Sequence, residues 1–127
     1  MTTNPLNIRK SKDIFLGELK TTGEFKVFIS RTYGVRAAIK IIHHYITDHN
    51  CKTIRAIVSR WAPPSENNTE MYIKFVSDHC KRNPDDKVIF SKGWLLAIIH
   101  AMAIYESNIN LTNKCLNDAY NLAFINT

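Results

Sequence analysis

Glu106 is the first acid to follow the run WLLAIIHAMAIY, residues 94–105, which holds no Asp, Glu, Lys or Arg. Such a run reads as a helix buried on most sides, and a carboxyl group at the wet end of a dry helix has its charged form disfavoured by desolvation. A carboxylic acid that can give up a proton near neutrality is the general acid of glycosidic bond cleavage. A second constellation is Arg60-Trp61-Ala62-Pro63-Pro64-Ser65-Glu66-Asn67-Asn68-Thr69, a proline-stiffened corner that carries an indole, a carboxylate and two amides. An indole stacks on the apolar face of a pyranose, and carboxamides both donate to and accept from hydroxyl and N-acetyl groups. The same residues have a plain structural use, with Trp61 plugging the core and Glu66 to Thr69 capping the next helix.

Other chemistry is poorly supplied. His43 and His44 are adjacent, so on a helix they point about 100° apart, and no His-Glu-x-x-His pattern of a zinc protease occurs. With His49 they read as surface residues, and His100 reads as a satisfied core histidine. Cys51, Cys80 and Cys115 form no CxxC pair, and an odd count cannot pair fully, so reduced thiols are expected. No spacing sets a thiolate beside a base, and four glycines build no phosphate loop. No metal and no cofactor is expected.

At 127 residues with 45% hydrophobic content, the chain is expected to form a single domain, 1–127, with a real core. Seventeen Lys and Arg against eleven Asp and Glu leave a net charge of +6, which favours a polyanionic partner: nucleic acid, an anionic wall polymer or acidic lipid. The opening MTTNPLNIRKSKD has no apolar signal core. No segment reaches the roughly 18 apolar residues of a membrane span.

The elements that must position Glu106 and the Trp61 corner are mostly helices. After a polar, extended start, Ile14-Phe15-Leu16 and Phe25 to Ile29 flank Thr21-Thr22-Gly23-Glu24, which predicts a hairpin. Val35, Ala38, Ile39, Ile42 and Ile46 predict a helix over 33–47. Thr53 caps a second helix ending at Trp61, and Pro63-Pro64 stops it. Asn67 or Asn68 caps a third, striped by Tyr72, Phe75 and Val76, with a linker at 81–86 and an extended Val88-Ile89-Phe90 beyond. Ser91 caps the helix that reaches Glu106, and Thr112 caps the last, 113–124. The expected fold is mainly α (α+β): about five helices with a small N-terminal β-hairpin lobe.

Tyr105-Glu106-Ser107-Asn108-Ile109-Asn110 resembles the catalytic segment of the animal lysozymes, where an aromatic residue, the acid Glu, Ser, Asn, an apolar residue and Asn follow a hydrophobic helix. Across nearly the whole chain, Asn4-Pro5-Leu6-Asn7-Ile8-Arg9, Gly17, Phe25, Phe28, Tyr33-Gly34-Val35-Arg36-Ala37-Ala38 and RWAPPSENNTEMYIKFV resemble a family of phage and prophage virion structural proteins. A related arrangement appears in lysozyme-like domains of bacterial secretion effectors. The resemblance implies a lysozyme-like fold, a place in the virion after synthesis in the host cytoplasm, other virion proteins as partners, and peptidoglycan as substrate. It implies cleavage of the β-1,4 bond between N-acetylmuramic acid and N-acetylglucosamine by a muramidase or lytic transglycosylase. Glu106 would be the acid and Asn7, Arg9, Trp61, Asn67 and Tyr105 the substrate-binding set.

In lysozymes the catalytic Glu helix precedes the hairpin, whereas Glu106 lies near the C-terminus, so the resemblance implies a circular permutation. Asn4 to Arg9 and the hairpin would then form a lobe beside the cleft, and the Trp61 to Asn68 corner its opposite wall. Without permutation Glu66 becomes the acid. A second carboxylate, which a hydrolase needs, could come from Asp13, Glu18 or Glu24. Two rivals stand: a virion protein without enzymatic activity, and a helix-turn-helix DNA-binding module over 53–79 with Arg55, Arg60 and Lys74, in which the turn PPSENN is atypical.

Overall fold

A computed structural model describes residues 2–124, in the order β1 (Glu18–Leu19), β2 (Val27–Phe28), α1 (Arg31–Asp48), α2 (Ile54–Trp61), α3 (Thr69–Cys80), α4 (Lys92–Ser107) and α5 (Asn113–Phe124). The fold is mainly α with a small two-stranded antiparallel sheet, as the hydrophobic periodicity predicts. α4 is the central element and packs on α1, α3 and α5. Leu95, Ile98, Ile99, Met102 and the small Ala101 and Ala103 are all within 1% of complete burial, which is why this segment is apolar on so many sides. Ser91 accepts from Trp94 N–H at its start. Its end is set by Asn108, whose left-handed φ of 55° lets its N–H turn back to Ile104 O.

The other caps follow the sequence closely. Thr53 Oγ1 accepts from Ala56 N–H on α2, and Asn68 Oδ1 accepts from Met71 N–H on α3. Asn67 is not the cap, and its amide instead donates to Pro63 O. Thr112 Oγ1 accepts from Cys115 N–H on α5. α1 presents Val35, Ala38, Ile39, Ile42 and Ile46 to the core, at the expected three- and four-residue spacing.

The N-terminal hairpin is present, with its second strand inside Phe25 to Ile29 and its first strand later than expected. Ile14 to Leu16 forms no strand, and Ile14 and Leu16 are exposed. β1 begins at Glu18 and pairs Glu18 with Phe28 and Leu19 with Val27. The cause is Lys26. Its fully buried ammonium collects Asp13 O at 2.8 Å and both Glu18 carboxylate oxygens at 3.0 Å, so 13–18 is wrapped around a charge instead of extended beside Phe25. What lies beside Phe25 is the N-terminal segment: Arg9 bridges to Phe25, Lys26 N–H donates to Ile8 O, and Lys10 N–H donates to Glu24 O. The run Val88-Ile89-Phe90, expected to be extended, lies outside helix and strand, with Val88 buried and its N–H donating to Lys52 O.

Candidate functional site

Glu106 sits in the last turn of α4, and its carboxylate is held from three directions. Asn7 Nδ2 donates to Oε1 at 3.2 Å and to the Glu106 main-chain carbonyl at 3.1 Å. Trp61 Nε1 and Tyr72 Oη both donate to Oε2, at 3.2 and 2.9 Å. These neutral donors replace the water shell that a half-buried carboxylate loses. They also make the two oxygens unequal. Oε2 carries two donors, one an indole that can only donate, while Oε1 carries the Asn7 amide alone. Burial together with the neighbouring Glu106 charge drives the Tyr72 phenol far above its ordinary value, so it stays a donor across the working pH range.

Asn7 reaches Glu106 because the N-terminal segment is folded over the start of α1. Asn4 is buried and pins a short loop: its Nδ2 donates to Ile8 O and Lys26 O, and its Oδ1 accepts from Ile8 N–H. Within that loop Asn7 adopts φ 54°, a conformation asparagine tolerates better than most residues. The segment passes directly across Gly34, where a Cβ would lie 1.9 Å from Thr3 O. Two distant pieces of sequence, Asn4 to Arg9 and Gly34, are therefore one packing unit.

The Trp61 corner is closed on itself. Trp61 ends α2, Glu66 N–H donates to Pro63 O, and buried Thr69 Oγ1 donates to Ala62 O at 2.6 Å. α3 leaves the corner with Tyr72 pointing back to Glu106. A cleft of about 410 Å³ runs between this corner and the N-terminal lobe, lined by Asn7, Ile8, Arg9 and Phe25 on the lobe side. Trp61, Ala62, Pro63, Glu66 and Asn67 line it on the corner side, with Ile41 and Tyr45 from α1 and Glu106 from α4.

Six residues singled out from sequence, Asn7, Arg9, Trp61, Glu66, Asn67 and Glu106, thus share one cleft. Tyr105 does not line it. Successive helical side chains diverge by about 100°, so Tyr105 turns away from Glu106 and stacks on Tyr72 with ring centroids 4.0 Å apart. It braces a donor to Glu106 instead of meeting a ligand. Tyr72 was visible in the sequence only as a member of an apolar stripe; the one hint of more was that a buried phenol must find a hydrogen-bond partner. Phe25 and Tyr45 carried no local signal for the cleft.

The acids considered as a second carboxylate lie elsewhere. Glu18 is bound by Lys26, Glu24 faces Arg9 at 3.7 Å on the lobe surface, and Asp13 is exposed outside the lining. Among the described residues that line the cleft, the carboxylates are Glu66 and Glu106.

Two of the three basic residues proposed for a DNA-reading helix are engaged with acids, and the third, Arg60, lies over the Tyr45 ring at 5.2 Å. Arg55 pairs with Asp85 at 2.7 Å and Glu70 at 2.8 Å, and Lys74 pairs with Asp78 at 2.7 Å. Of the histidines, His44 and His49 are exposed and 3.2 Å apart, whereas His43 is half-buried between Phe90 and Phe124, and this burial lowers its pKa. His100 is also half-buried and meets His79 and Asn110. Among the described residues, no cluster of three or more His, Cys, Asp or Glu is placed to hold a metal. No helix among them is long and apolar enough to cross a membrane.

No protein-family model matches the chain. Over 115 residues it is 36% identical to Protein P5 of Pseudoalteromonas phage PM2, an alignment that spans 84% of this chain and 69% of that protein. The chain belongs to the phage P5 protein family. Membership sets the cleft in a phage protein and leaves its chemistry to be argued from the residues.

Proposed function

We propose that this P5-family chain is a virion-associated enzyme that cleaves the β-1,4 bond between N-acetylmuramic acid and N-acetylglucosamine in peptidoglycan, assisting genome entry or host lysis, with Glu106 as the acid. The observation that carries this reading is the convergence on one carboxylate, in a cleft of about 410 Å³, of an indole, a phenol and a carboxamide from Trp61, Tyr72 and Asn7. Resemblance to lysozyme-like domains, in permuted order, and to virion structural proteins supports it, as does the lobe-and-corner arrangement around Glu106.

In this mechanism Trp61 and Asn67 seat a sugar ring, by stacking and by amide hydrogen bonds. Glu106 delivers its proton to the glycosidic oxygen as the C1–O bond breaks, and the resulting carboxylate is stabilised by the donors from Asn7, Trp61 and Tyr72. The cationic sugar is then captured either by a water that gives its proton to Glu66 or by its own C6 hydroxyl, which returns a proton to the Glu106 carboxylate. The first outcome leaves a reducing end and the second an anhydro sugar, and the products differ in mass by one water.

The test is muropeptide release from purified peptidoglycan by wild type, Glu106→Gln and Glu66→Gln, with products weighed by mass spectrometry. The reading expects release by wild type and loss of more than about a hundredfold in Glu106→Gln. Loss confined to Glu66→Gln would move the acid to the corner. Wild-type protein that releases nothing from several wall types sinks the enzyme and leaves a non-catalytic virion role.

A further inference from the structure

The lobe wall of the cleft carries a charge that the cleavage step itself does not use. Among the cleft-lining residues described, Arg9 is the one cation, facing a lining that otherwise holds the acids Glu66 and Glu106. Its guanidinium lies 5.2 Å from the centre of the Phe25 ring, which the Arg9–Phe25 bridge sets beside it. An arginine spread on an aromatic face is held in place while its donor edges stay open. Its ion pair with Glu24 is long, 3.7 Å, with side chains 68% and 80% exposed, so an incoming anion can displace it. Arg9 also lies two residues after Asn7, so the segment that holds Glu106 carries the cation too.

A neutral sugar has no use for that group, and the Glu66 carboxylate in the same cleft repels an anionic one unless a cation offsets it. We propose that Arg9, seated on Phe25, is the specificity determinant of the cleft: it binds a carboxylate on the glycan and so places the acid-bearing sugar on the lobe side of Glu106. The neutral N-acetylated sugar then falls on the Trp61–Asn67 side. The preferred substrate is thus a glycan strand whose acid sugar keeps its carboxylate free of peptide, bound in one direction. The inference rests on the glycan-cleaving reading of the same cleft.

The experiment compares glycan strands stripped of peptide, with free lactyl carboxylates, against the same strands after carbodiimide amidation, so that only charge differs. Wild type is expected to show a kcat/KM about tenfold higher on the free acid, the worth of one charge-assisted hydrogen bond. Arg9→Gln should bring the ratio of the two substrates close to one, and Arg9→Lys should restore most of it. Arg9 is exposed, so circular dichroism should show an unchanged fold in both variants. A wild type that cleaves both substrates equally, or an Arg9→Gln variant that keeps the full ratio, overturns the role of Arg9 and leaves glycan cleavage standing. A wild type that cleaves neither strand overturns both.

Discussion

Asn7 and Glu106, 99 residues apart, are joined twice: one amide nitrogen donates to both the main-chain carbonyl and the carboxylate of Glu106. The first contact fixes which end of the carboxamide faces the site, because flipping Asn7 would set its oxygen against the Glu106 carbonyl. Asn7→Gly keeps the left-handed backbone and removes only the amide. It should cost about 1–3 kcal/mol in urea denaturation, the price of leaving a partly buried carboxylate short of a donor. Asn7→Ala should cost about 1 kcal/mol more, since alanine adds the strain of a positive φ. Equal losses in the two variants would show that the backbone conformation is not held as described.

Gly34→Ala is a test at a distance. The added Cβ meets Thr3 O at 1.9 Å, and Thr3 belongs to the backbone that leads into Asn4 and Asn7. Main chain cannot swing aside as a flexible side chain can, so the N-terminal segment must lift. The variant should lose about 2 kcal/mol or more, and backbone amides of 4–9 should exchange hydrogen faster while α4 stays protected. An alanine variant as stable as wild type would mean that the segment does not rest on α1 in solution.

The ion pair under the lobe gives a double-mutant cycle. Lys26 is fully buried at the ammonium and Glu18 is 10% exposed, so neither charge has water to fall back on. Lys26→Met alone should destabilise by about 3–5 kcal/mol, because it strands a carboxylate. Lys26→Met with Glu18→Leu should recover most of that loss, since a desolvated pair contributes little over an apolar one. If the double variant is no better than the single, the lobe depends on the Lys26 contact with Asp13 O instead.

How much of this could be read from sequence depends on whether the determining contact is local. Thr53, Asn68 and Ser91 announce helix starts because a cap is a bond three residues long. The apolar run ahead of Glu106 announces a buried helix for the same reason. The hairpin is legible but the place of its first strand is not, because Lys26, a residue type rarely found inside, turns inward and gathers residues 13–18 around itself. Tyr105 is next to Glu106 in sequence but stacks on Tyr72, and the tyrosine that donates to Glu106 is Tyr72, 34 positions away. The cleft itself was anticipated by types of residue, an acid, an indole and amides, and not by any pattern that could have located Phe25 or Tyr45.

The Tyr72 contact carries a pH signature with a definite sign. In the folded chain burial and the Glu106 charge hold the phenol protonated well above its ordinary value of 10, to which it returns on unfolding. Above pH 10 the folded state therefore binds a proton that the unfolded state has released, so stability falls as pH rises, by up to about 1.4 kcal/mol per pH unit from this group. Below pH 10 both states hold the proton and the group contributes no slope. Tyr72→Phe should be less stable near neutrality by about 1–2 kcal/mol, for the lost bond to Oε2. Its stability should also decline less steeply than that of wild type between about pH 10 and 11. Phenolate absorbance at 295 nm in the folded chain should lose nothing around pH 10 on the same substitution. A Tyr72→Phe curve parallel to wild type through the alkaline range would mean that the phenol is open to water, and Glu106 Oε2 would then keep only the Trp61 indole as donor.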